Sequence, residues 1–117
     1  MNRQILGKYG EDLVCEHLKK NGYTVLERNF RFRMGEIDIV AQNKGSVAFV
    51  EVKTRRSDAF GTPAEAVGAR KQKNMILAAQ QYISLHGKPD ENYTFDVAEV
   101  LVRGDGPSIN YIQNAFC

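Results

Sequence analysis

The sequence predicts a three-layer α/β domain in which a central mixed β-sheet is flanked by helices. Three observations carry that expectation. Apolar residues recur at helical spacing near the N-terminus and again after the midpoint, whereas the stretches between and after them alternate apolar and polar residues at the period of two that marks strands. Two apolar runs, 36–41 and 47–53, flank the polar link Gln42-Asn43-Lys44-Gly45-Ser46, which signals a β-hairpin. The resulting order, helix, strand, hairpin, helix, strand, strand, buries every apolar face only if helices cover a sheet. With 117 residues the chain is read as one domain, 1–117, long enough to bury a core without covalent staples.

Taken in order, residues 6–21 read as a helix ended by Gly22, with Leu6, Tyr9, Leu13, Val14, His17 and Leu18 on its apolar stripe. Lys8, Asp12, Glu16 and Lys19 fall on the opposite face, and Glu11 lies at the edge of the stripe. His17 is expected to be a packed core residue. Tyr23 to Phe32 alternates as a first strand leading into the hairpin. After the hairpin, Ser57 to Gly61 reads as a mobile loop, and Thr62-Pro63-Ala64-Glu65 is a capping box with Pro at the first helical position. Gly68 separates this short turn from a longer helix, 69–86, with the stripe Met75, Ile76, Ala79, Tyr82 and Ile83, which Gln72 continues toward the sheet. His86 reads as a helix-end residue. Pro89 to Asn92 is a turn, Tyr93 to Val102 a strand, and Gly104 to Pro107 a tight turn into a last strand near 109–113. Asn114 to Cys117 is expected to fray.

Composition excludes several classes. Charged residues at 26% and hydrophobic residues at 43% are ordinary for a soluble domain. Cys15 and Cys117 are the only cysteines, so a disulfide framework is excluded and a reducing compartment expected. No apolar run reaches the length of a membrane span and the N-terminus lacks a signal-peptide pattern, so the expected location is the cytoplasm. The glycines are dispersed rather than gathered into a phosphate loop, and two His with two Cys lack zinc spacing.

The hairpin holds the anomaly. On its first strand Ile37, Ile39 and Ala41 share one face, and Glu36, Asp38 and Val40 the other; on its second, Ala48, Val50 and Val52 oppose Val47, Phe49, Glu51 and Lys53. Matching the apolar faces places the charges on one side of the sheet. Two registers achieve this: one sets Asp38 opposite Glu51 and Glu36 opposite Lys53, the other sets Glu36 opposite Glu51 with Asp38 as its diagonal neighbour. In either, carboxylates lie roughly 5 to 8 Å apart, which destabilises the sheet unless positive charge intervenes. Lys53 supplies one charge, and a divalent cation would supply the rest. Ordinary surface pairs are the other reading of the same residues.

Glu36-x-Asp38 followed by Glu51-Val52-Lys53 resembles the D…(D/E)-x-K signature of the restriction-endonuclease-like nuclease superfamily. The longer string Gly35-Glu-Ile-Asp-Ile-Val-Ala…Phe49-Val-Glu-Val-Lys-Thr-Arg55, with Gly61-Thr-Pro-Ala-Glu-Ala-Val67 and Arg70-Lys-Gln72, resembles the YraN-like bacterial family within that superfamily. The resemblance runs from about Gly7 to Val97. One departure is that Ile37 stands where many superfamily nucleases carry Pro. The resemblance implies a restriction-endonuclease-like fold, related to archaeal Holliday-junction resolvases, and a metal-dependent endonuclease acting on DNA of structured or branched form. In that reading Asp38 and Glu51 bind Mg²⁺ or Mn²⁺, Lys53 handles the attacking water, Glu36 contributes from outside, and Gly7-Lys-Tyr-Gly-Glu11 matches a first-helix motif whose Glu reaches the metal site. Gln72 would contact substrate or water. Resolvase relatives are dimers, so a homodimer is an expectation of the resemblance alone.

Net charge is only +2, so its distribution matters more than its sum. Arg28, Arg31 and Arg33 precede the hairpin; Lys53, Arg55 and Arg56 end it; Arg70, Lys71 and Lys73 follow. Such a basic rim around an acidic centre is what a phosphate-binding groove requires, and Arg55, Arg56, Arg70, Lys71 and Lys73 are the expected nucleic-acid contacts. The alternative, from a different class, is a non-catalytic nucleic-acid-binding module that keeps the nuclease fold.

Overall fold

A computed structural model describes residues 2–56 and 67–117. The predicted loop after residue 56 and the Thr62–Glu65 capping box lie outside the described residues. The elements are α1 (Arg3–Lys20), β1 (Thr24–Phe32), β2 (Gly35–Asn43), β3 (Ser46–Arg55), α2 (Ala69–His86), β4 (Asn92–Arg103) and β5 (Gly106–Phe116). They build the expected three layers, with one helix on each face of a five-stranded sheet of order β1-β2-β3-β4-β5. β3 and β4 run parallel, joined by the crossover that carries α2; the other neighbours are antiparallel, so the sheet is mixed.

Helix α1 starts three residues earlier than its apolar stripe, because the Asn2 side chain caps it by accepting from the Ile5 N–H at 2.9 Å. Its buried residues, Gly10, Val14, Cys15 and Leu18, pack on Ile39, Ala41, Ala48, Val50, Ala98 and Val100. Helix α2 has the predicted bounds and buries Met75, Ala78, Ala79 and Tyr82 on the other face, against Ile37, Val40, Val47, Phe49 and Val97. His17 is half-buried rather than a core residue, its ring stacked on Tyr111 at 5.9 Å.

The hairpin adopts the first of the two registers: Ile39 faces Val50, Val40 faces Phe49 and Ala41 faces Ala48. The expected strict alternation fails at one point. Ile37 packs with Val40 on the α2 side, whereas Ile39 packs on the α1 side, so the phase of β2 changes at Asp38. Across from it on β1, Asn29 takes a left-handed φ of 55° and the β1–β2 ladder skips the pair. The irregularity frees the Asp38 side chain from the ordinary pleat.

The C-terminus also departs from expectation. β5 extends to Phe116, which pairs with Phe95 and stacks on its ring at 5.1 Å, so Asn114 to Phe116 are held in the sheet. A register shift between Phe95 and Val97 faces Asn114, whose φ is 51°. The wholly buried Asp96 anchors that bulge by accepting from the Asn114 N–H at 3.1 Å and from the Tyr111 hydroxyl. Burial and the adjacent Asp96 raise the Tyr111 phenol above its ordinary pKa. Among the described residues no helix is long and apolar enough to cross a membrane.

Candidate functional site

Glu51 sits on the α2 face of β3 with 3% of its side chain exposed. Its Oε2 accepts ion pairs from Lys53 Nζ at 3.5 Å and Lys71 Nζ at 3.3 Å, while Oε1 is buried with no hydrogen-bond partner. An unsatisfied buried carboxylate oxygen is costly, so the position calls for something positive.

Asp38 stands next to it. The β2–β3 ladder stops at Ile39 and Val50, and the Val52 N–H donates instead to Asp38 Oδ2 at 2.8 Å. Burial first, then the charge of Glu51 and a hydrogen bond to it, push the Asp38 carboxyl up to about 8, with Glu11 adding to the shift. Near neutral pH Asp38 therefore keeps its proton beside Glu51, a charge that a bound cation would replace. Two hard oxygen donors with one unsatisfied lone pair fit a divalent ion that completes its shell with water. Among the described residues no set of three or more His, Cys, Asp or Glu side chains is disposed to hold a metal.

Glu11 reaches this neighbourhood because α1 approaches β3 closely at Gly10. A Cβ on Gly10 would lie 1.9 Å from Thr54 Oγ1. The next residue, Glu11, then accepts from Arg28 and from Asn29, each at 3.4 Å. Arg28 also pairs with Asp12 at 2.9 Å, so it braces the acidic helix face.

The other predicted residues divide. Glu36 pairs with Arg31 at 3.6 Å, whereas the two registers read from the sequence placed it opposite Lys53 or opposite Glu51. The Gln72 amide donates to the Val67 carbonyl at 2.8 Å, holding the start of α2. Lys71, expected on the outer rim, belongs to the centre through Glu51. Arg55 pairs at 3.3 Å with Glu99, whereas Arg56, Arg70 and Lys73 are exposed. Glu99 was not anticipated. It is buried, and the parallel register sets it beside Lys53. Its signal in the sequence was its place on the same face of β4 as Phe95 and Val97, but only the β3–β4 pairing shows which β3 residue it faces.

A family model described as "Uncharacterised protein family UPF0102" matches residues 10–100. The chain belongs to this family. UPF0102 proteins of Alkaliphilus metalliredigens and Syntrophomonas wolfei are 46% and 47% identical to it, over 95% and 99% of this chain and 96% and 100% of their own lengths. The UPF0102 protein of Clostridium acetobutylicum is 46% identical over 94% of this chain and 92% of its own. The part of the chain matched by the UPF0102 model contains Glu11, Asp38, Glu51, Lys53, Lys71 and Glu99.

Proposed function

We propose that this UPF0102 protein is a divalent-metal-dependent nuclease of the restriction-endonuclease-like superfamily, hydrolysing phosphodiester bonds in DNA of structured or branched form. The observation that supports it is the Asp38–Glu51 pair: adjacent buried carboxyls, Glu51 with an oxygen lacking any partner, flanked by Lys53 and Lys71. Asp38 and Glu51 would hold Mg²⁺ or Mn²⁺, which when bound supplies charge stabilisation at the scissile phosphate. The Val52 N–H fixes the Asp38 carboxylate, and the close packing of Gly10 keeps Glu11 beside it. Lys53, two residues beyond Glu51, is 32% exposed and so reaches both the acid and the solvent side, where it orients the attacking water. Lys71 offsets charge from the helix side, and Arg56, Arg70 and Lys73 face the backbone phosphates.

The rival reading is a nucleic-acid-binding module without catalysis, supported by the two lysines that already neutralise Glu51. A cleavage panel of duplex, single-stranded, flapped and four-way-junction DNA with Mg²⁺ or Mn²⁺ separates them. Lys53→Ala is expected to bind DNA nearly as wild type yet cleave on the order of a hundredfold more slowly, the scale of losing one preorganised electrostatic contact. No cleavage by wild type across the panel, or wild-type cleavage by Lys53→Ala, transfers the assignment to the binding module.

A further inference from the structure

Between the β1–β2 turn and α2 lies a recess of about 290 Å³ that none of the roles above uses, lined by Phe32, Arg33, Met34, Gly35, Asn74 and Leu77. Met34 is 85% exposed and Leu77 45% exposed. A single exposed apolar residue is unremarkable, but here two converge with a half-buried Phe ring in one concavity. The Arg33 guanidinium lies over the Phe32 ring at 5.3 Å from its centroid, so a flat cation and an aromatic face are already stacked at the rim. Asn74 adds an amide with both donor and acceptor capacity. The floor is rigid: a Cβ on Gly35 would lie 2.2 Å from the Asn74 carbonyl oxygen, so turn and helix are in direct backbone contact.

Cations predominate around the recess. Arg31, which is paired with Glu36 at the end of β1, and Arg33 on the turn flank it, and the exposed Arg70 and Lys73 lie one helical turn before Asn74 and Leu77 on α2. Apolar and aromatic walls, one amide, and a cationic rim suit a planar heterocycle attached to a phosphate backbone. Position agrees: at about 3.3 Å per strand residue, Gly35 lies roughly 10 Å along β2 from Asp38, within reach of a nucleotide neighbouring one bound there.

We infer that this recess receives an unpaired nucleobase of the nucleic acid held at the Asp38–Glu51 centre. The inference rests on the proposed function and sharpens it, since a base can enter only from single-stranded, flapped or unstacked positions. A paired duplex has none to give without unstacking.

The test is equilibrium binding by fluorescence anisotropy in Ca²⁺, using labelled oligoadenylate, an abasic sugar-phosphate oligomer of equal length, and a blunt duplex. Met34→Ser combined with Leu77→Ser is expected to weaken oligoadenylate binding by about tenfold or more, the scale of one lost base stack, while the abasic oligomer and the duplex bind as to wild type. Both residues are exposed, so an unchanged unfolding midpoint is expected. Leu77→Trp, which fills the recess instead of stripping it, should produce the same selective loss. Wild-type affinity of these variants for oligoadenylate, or an equal loss on all three ligands, overturns the base site and leaves the nuclease reading standing. Failure of the wild-type protein to bind any of the three overturns both.

Discussion

Gly10→Ala tests the contact that brings Glu11 to the site. The added methyl would sit 1.9 Å from Thr54 Oγ1, 2.9 Å from Thr54 Cβ and 3.0 Å from Cγ2, against 3.4–4 Å for ordinary contact. Thr54 is held on β3 by its pairing with Val100 of β4, so the misfit is relieved by turning the Thr54 side chain and lifting α1. Overpacking of this kind costs about 1–3 kcal/mol, and the better helix propensity of Ala returns up to about 1 kcal/mol. A net loss of about 1–2 kcal/mol is expected, which for a domain of this size lowers the unfolding midpoint by about 4–8 °C. Thr54 Oγ1 is buried without a hydrogen-bond partner, so Thr54→Ala removes an unsatisfied hydroxyl along with the worst clash. In the pair Gly10→Ala with Thr54→Ala, calorimetry should recover about half of the loss or more, a coupling above roughly 0.5 kcal/mol. Equal midpoints for Gly10→Ala and wild type, or strictly additive effects in the pair, would refute the close approach.

Two further outcomes follow from buried acids. Asp38 holds its proton up to about 8 in the folded chain against the usual 3.8, so between those values the fold keeps a proton that the unfolded chain has released. Stability should therefore fall by a few kcal/mol as pH rises through that window and level off above it, and Asp38→Asn should remove the slope; denaturant unfolding in EDTA with the same slope in both proteins would contradict this. Tyr111→Phe deprives the wholly buried Asp96 of its hydroxyl donor, and a loss of about 1.5–3 kcal/mol is expected in the same assay, with no change in metal response.

Much of the scaffold was legible because it is local. The stripe of α2 matched its bounds, and the face-matching condition left two hairpin registers, one of which places Asp38 level with Glu51. What escaped depends on contacts distant in sequence or on single backbone angles. Nothing in the alternation of β2 announces that Ile37 changes sides, because the cause involves Asn29 on the neighbouring strand. Glu99 could be placed beside Lys53 only once the parallel β3–β4 pairing was known. Lys71 was counted among rim cations, but the phase and docking of α2 turn it onto Glu51. The C-terminal residues looked free to fray, whereas a ring stack and a buried carboxylate hold them.

The two margins of the sheet are chemically unequal. β1 carries Glu27, Arg28 and Arg31, charges that discourage another chain from pairing alongside it, whereas no residue from Gly106 to Cys117 is charged. A long neutral outer strand is a template for unwanted strand addition, and here two interruptions shorten it. Pro107 removes a donor at one end, and the left-handed Asn114 breaks the run near the other. The Asp96 carboxylate, by gripping the Asn114 N–H, keeps that second interruption in place. A buried side chain thus sets how much open strand the molecule presents to its neighbours, and substitutions at Asp96 should register as aggregation as well as lost stability.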